Sequence, residues 1–210
     1  MGATMTEFQH QATDKPPAMV GYKNADQSSD NIFSDIFRMA RPVPGKEEIS
    51  TGQIHSMVMP AGWEKRSDVR LPAGAGLVEF HPHGQDDVRL NAFYRGRRVG
   101  IEAANAFKEC LAKPPHQLQD QELKVLAVVL RDKGSDFDIF SARTIDLNGK
   151  RVLSVEGCFK DQEKTGEKTL YVDSDGTGSA IQEISYCAHG KDYQRYLGEA
   201  EKAFRSIIWN

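Results

Sequence analysis

The 210 residues carry 39% hydrophobic and 27% charged side chains, an ordinary globular balance with apolar content enough for a core. A formal net charge of −3 makes no strong field of either sign, so bulk charge supports neither nucleic acid nor an acidic membrane as partner. No run approaches the roughly 18 consecutive apolar residues that a membrane span needs.

In chain order, Met1 to Gln11 is polar and has no apolar h-region. No secretory signal is read there, and a cytoplasmic location is expected, a mature secreted form being the alternative. Residues 1–50 read as a polar arm. Within it, Asp30 can cap a short helix near 31–41 whose Ile32, Phe33, Ile36 and Phe37 share one face. Phe33 and Phe37 are therefore candidate partner-binding residues, the alternative being a helix docked on its own domain.

Residues 51–210 read as a single α+β domain. Strands are expected at 53–59, stopped by Pro60-Ala61-Gly62, then at 76–81 and 87–94, where Val88, Leu90, Ala92 and Tyr94 share a face. Trp63 should plug a core edge. The period then changes: Ile101, Ala104, Phe107, Cys110 and Leu111 recur at helical spacing until Pro114-Pro115. A second helical run is expected over 118–131, with Val125, Val128 and Val129 widening its apolar face, a strand at its end being the alternative.

Two hairpins follow. One turns at Asn148-Gly149 between 137–147 and 151–160, the other through Asp173 to Gly178 between 167–173 and 180–188. Tyr193, Tyr196, Leu197, Ala200, Phe204, Ile207 and Ile208 then form an apolar stripe, the mark of a helix laid on a sheet. The fold class expected is α+β, an antiparallel sheet of about six to seven strands packed against helices and closed by that C-terminal helix.

Met59-Pro60-Ala61-Gly62-Trp63, the run Ala142-Arg143-Thr144 through Asn148-Gly149-Lys150 to Val155-Glu156-Gly157, and the tail Phe204-Arg205-Ser206-Ile207-Ile208-Trp209 resemble the opening, central hairpin and closing helix of PsbP-like domains. That resemblance spans residues 51–209 and implies a domain that binds other proteins rather than one that catalyses. It transfers no function by itself.

Several constellations bear on chemistry. His81-Pro82-His83 has metal-ligand residue types, but Pro82 and Gly84 read as a polar turn, so no metal site is assigned. Asp173, Asp175 and Gly176 hint at a calcium loop, yet Tyr171 and Gln182 fall where oxygen donors are required, and a hairpin turn is the better reading. Cys187 and His189 are close enough in sequence for a nucleophile and base, but no oxyanion-hole pattern accompanies them. Arg95, Arg97 and Arg98 form the densest basic cluster and are candidate residues for an acidic partner. The three cysteines, Cys110, Cys158 and Cys187, are expected as buried small side chains in a reducing compartment, or as one bridge with a thiol left over.

The function expected is a non-enzymatic protein-binding module, an adaptor or chaperone-like domain needing no cofactor. The alternatives are an enzyme with a site near His81, His83 and Cys187, and a structural subunit of an envelope or secretion assembly. Composition does not set the oligomeric state.

Overall fold

The computed structural model describes residues 48–70, 76–93, 96–130, 136–160 and 164–210. The predicted helix with Phe33 and Phe37, Tyr94, Arg95 and nearly all of the predicted arm lie outside these residues.

Eleven strands and three helices follow one another among the described residues. They are β1 (Glu48–Thr51), β2 (Ile54–Val58), β3 (Trp63–Arg70), β4 (Gly76–Pro82), β5 (Val88–Phe93) and β6 (Arg97–Arg98). Next come α1 (Ile101–Ala112), α2 (Asp120–Val125), β7 (Phe137–Leu147), β8 (Lys150–Phe159), β9 (Thr165–Asp173), β10 (Ala180–His189), α3 (Gly190–Arg205) and β11 (Ile208–Trp209). An eight-stranded antiparallel sheet runs β3-β4-β5-β10-β9-β8-β7, with β6 pairing β10 beyond the end of β5. A second sheet of three strands runs β1-β2-β11. The fold is α+β with an antiparallel sheet and a C-terminal helix, as the alternation and the final stripe predict.

Side chains alternate across the large sheet, so each strand feeds two layers. On one face Phe80, Leu90, Ala92, Leu170, Val172, Ile184 and Tyr186 pack against Tyr193, Ala200, Ala203 and Phe204 of α3, with Ile54, Met57 and Ile207 around the small sheet. On the other face Leu153, Val155, Tyr171 and Ile181 pack against Ala103, Phe107 and Cys110 of α1 and against Leu126, Val129 and Leu130. The β7–β8 turn holds Asn148 at φ 50° and Gly149 at φ 85°, the positive pair that a tight hairpin needs. Trp63 plugs the core edge as expected, donating its Nε1–H to Glu199 at 2.7 Å.

Three expectations need correction. The second helical run is only Asp120–Val125, begun by a capping box in which Gln119 and Glu122 bond reciprocally. Leu118 instead donates its backbone N–H to Ala142 on the edge of β7. Val125 and Val128 are exposed rather than buried on a second side, and only Val129 faces the core. β-Branched residues resist continuing a helix, and the chain leaves it there. Ile208 drops out of the final stripe: α3 ends at Arg205, Ile207 turns inward, and Ile208 stands half-exposed where β11 pairs with β2. Ile101, counted on the apolar face of α1, is 78% exposed at the start of that helix.

Candidate functional site

The residues singled out in the sequence come together only in part. His81, on β4, is buried, with Nε2 2.9 Å from Glu79 Oε1 and Nδ1 3.3 Å from the Gln85 carbonyl. His83 lies past the strand end, exposed, with Nδ1 2.6 Å from Glu64 Oε1. Cys187 is buried on β10. Burial pushes its thiol up, and the adjacent Arg89 guanidinium offsets this only in part. His81 and Cys187 occupy the same face with β5 between them, so strand spacing sets them about 10 Å apart. They are no nucleophile and base in contact. Among the described residues no group of three or more His, Cys, Asp or Glu is placed to hold a metal.

The two described arginines of the basic cluster diverge, as adjacent strand positions must. Arg97 directs Nε at Glu183 Oε1, at 3.3 Å, and donates to the carbonyls of Val128 at 3.1 Å and Val129 at 2.7 Å. It ties the turn after α2 to the sheet. Arg98 is exposed and reaches Ser179 Oγ at 3.3 Å and Asp175 Oδ2 at 3.7 Å. Asp175 is held well below the usual carboxylate range. Burial opposes that direction, but the Thr177 and Ser179 hydroxyls and the Thr177 N–H prevail. Asp173 accepts from the backbone of Asp175, Gly176 and Gly178, so its loop is a self-bonded hairpin turn.

Sequence reading missed what lies on the large sheet beside the second core. There the apolar pattern of β8 gives way to two polar rows crossing β4, β5, β10 and β9. In one, Glu79 stands level with Asn91, Asn91 with Ser185, and Ser185 with Thr169. In the other, Arg89 stands level with Cys187 and Cys187 with Glu167, and continuing the β4–β5 register brings His81 beside Arg89. Glu79, Arg89, Asn91, Glu167 and Ser185 are half-buried, while His81, Thr169 and Cys187 are buried. The signal was the alternation in Val88-Arg89-Leu90-Asn91-Ala92 and Ile184-Ser185-Tyr186-Cys187-Ala188: each strand turns one apolar side inward and a polar side to this face.

Most polar groups of these rows are partnered. Glu79 meets His81, and Thr169 donates its hydroxyl to Glu167. Two atoms are not. Arg89 Nε and Asn91 Oδ1 are shut off from water and have no hydrogen-bond partner among the described residues. They are two positions apart on β5, on one face. Polar atoms withdrawn from water without a partner are costly, roughly 1–3 kcal/mol each.

A cleft of about 180 Å³ lies between α1 and α2, lined by Ala106, Glu109, Cys110, Lys113, Glu122 and Leu126 among others. Two of its charges answer one another. A hydrogen bond from Lys113 pulls the Glu122 carboxyl down to about 2, helped by the Gln119 N–H and by His116. Burial raises the Cys110 thiol and so keeps it protonated at neutral pH.

No family model matches the chain, and no curated protein matches it in sequence. Among solved structures it is similar to the solution structure of cyanobacterial PsbP (CyanoP) from Synechocystis sp. PCC 6803. That likeness has 13% identity over 82% of this chain and 96% of that one, with a TM-score of 0.45. It is also similar to LpqN of Mycobacterium tuberculosis, described as involved in cell envelope biogenesis, at 14% identity over 72% and 82% of the two chains, with a TM-score of 0.33. Both TM-scores lie under 0.5, so neither likeness carries an argument about this chain. No function is carried over from either neighbour. Among the described residues, no helix is long and apolar enough to cross a membrane.

Proposed function

We propose that this chain is a non-enzymatic protein-binding module that holds its partner against the polar rows of β4, β5, β10 and β9. The observation that supports this reading is the change of character across a single sheet face. Leu153, Val155, Tyr171 and Ile181 are covered by α1 and the segment after α2, whereas Arg89, Asn91 and Ser185 beside them are polar and half-buried, Arg89 and Asn91 each with one unbonded atom. A chain selected for stability alone would place apolar or fully bonded side chains there. Polar groups with spare bonding capacity suit a surface that is completed by another molecule. The raised thiol of Cys187 and its separation from His81 argue against a thiol nucleophile at the same place.

The test is site-specific photo-crosslinking in the cells that make the protein. A diazirine amino acid is placed at Ser185, in the polar rows, and in a second preparation at Gln194, exposed on α3. The reading predicts a discrete protein adduct from position 185 and none from position 194. Equal labelling from both, or none from 185, contradicts it.

A further inference from the structure

We infer that the cleft between α1 and α2 is a binding site for a primary ammonium carried on an apolar body about one ring in size. The site is separate from the polar rows and does not depend on the partner held there. Its space comes from small side chains. Ala106 and Cys110 lie one turn apart on one face of α1, and Leu126 faces them from the end of α2. Cys110 and Leu126 are buried, so the floor is apolar, whereas Glu109, Lys113, Gln121 and Val125 at the mouth are exposed. A ligand can therefore enter from solvent and leave water behind at the floor. An apolar cavity of about 150 Å³ takes up one benzene. A cleft of about 180 Å³ has room for one ring with a short arm pointing outward.

Charge selects the end of that arm. Lys113 Nζ meets Glu122 Oε1 at 2.6 Å, and His116 and the Gln119 N–H occupy the rest of that carboxylate. The Glu122 hydrogen bond is foremost in holding the Lys113 ammonium above its ordinary value, and Glu109 is the least of the contributors. Glu109 itself has no ion pair among the described residues. The mouth thus presents one open carboxylate, and Gln121 adds a neutral acceptor. An anion meets two carboxylates there, and the single lining ammonium is already bonded. Cys110 supplies a soft apolar wall rather than a nucleophile, since burial keeps its thiol protonated.

The experiment is carbon-13 methyl NMR on the full chain, following Ala106, Val125 and Leu126. Three probes share one ring and a two-carbon arm: 2-phenylethylamine, 2-phenylethanol and 3-phenylpropionate. The inference predicts saturable shifts at all three residues with the amine. The alcohol should bind about threefold more weakly, the measure of one exposed ion pair, and the carboxylate about tenfold more weakly. Glu109→Gln should bring the amine down to the level of the alcohol and leave the alcohol unchanged. Ala106→Leu should fill the floor and remove the shifts at Val125 and Leu126. The probe series needs no variant, so it stands whatever A106L does to the fold. The peptide Phe-Gly-Gly-amide carries the same ring and ammonium at its free N-terminus. Binding as tight as that of the amine assigns the site to a polypeptide end, and tenfold weaker binding assigns it to a free amine.

Three results overturn the inference. They are no saturable shift at Ala106 and Leu126 with the amine, phenylpropionate binding as tightly as the amine, and amine affinity unchanged in E109Q.

Discussion

The two faces of the large sheet treat buried charge differently. On the face that α3 seals, Lys168 reaches Glu201 Oε1 at 2.5 Å and Glu156 Oε2 at 3.4 Å, Tyr193 donates its hydroxyl to Glu156 at 3.0 Å, and Arg205 meets Glu201 at 2.6 Å. Each charge there is answered, and the network joins β8 and β9 to α3. On the other face Arg89 and Asn91 keep buried atoms without partners. A saturated network specifies a fold. An unsaturated one raises the free energy of the isolated chain.

The largest effect expected is from Phe204→Ala, which empties a buried position between α3 and the sheet. Urea unfolding should show a loss of about 3–5 kcal/mol. A loss under about 1 kcal/mol would mean that α3 does not seal that face.

Next comes Lys168→Met, expected to cost about 3 kcal/mol by removing the cation that Glu156 and Glu201 share, which leaves Tyr193 to one and Arg205 to the other. The pH dependence follows with its sign. Burial pushes the Glu201 carboxyl up, but Lys168 and Arg205 outweigh this and hold it below its ordinary value. The stability this supplies is fully present above the ordinary carboxylate pKa, about 4.3, and is lost as pH falls through the folded value. Urea midpoints between pH 7 and pH 3 should therefore fall less steeply in K168M than in the unaltered protein.

A smaller loss, about 2 kcal/mol, is expected from Gly166→Ala. A Cβ at Gly166 would sit 2.5 Å from the Tyr193 ring, which stacks on Tyr186 at 5.2 Å. Thermal unfolding and the near-ultraviolet tyrosine signal would both report the shift, and an unchanged signal would place slack where the packing is tight.

The parts of this comparison differed in how far the sequence disclosed them. The hairpin at Asn148-Gly149 and the inward face of α3 were legible because each is a local rule, a turn dipeptide and a three-to-four-residue rhythm. Strand β3 was not, because Trp63–Arg70 is an edge strand carrying Glu64, Lys65, Arg66 and Asp68, and charge on an edge reads as loop. β11 is two residues long, too short for any period, and exists through its pairing with β2. Arg97 read as part of a patch for an acidic partner because the carbonyls it holds, at Val128 and Val129, are some thirty residues away. Arg89 and Asn91 were hidden for the same reason. A polar residue on an alternating strand reads as facing water until the register shows which side chains stand beside it.

The most direct test is the urea unfolding free energy of Arg89→Met beside the unaltered protein. If Arg89 is kept for a partner, its removal leaves stability within about 0.5 kcal/mol of the original or raises it, since an apolar side chain replaces a partly buried charge with an unbonded N–H. A loss above about 2 kcal/mol would make Arg89 a structural strut like Arg97 and contradict the account.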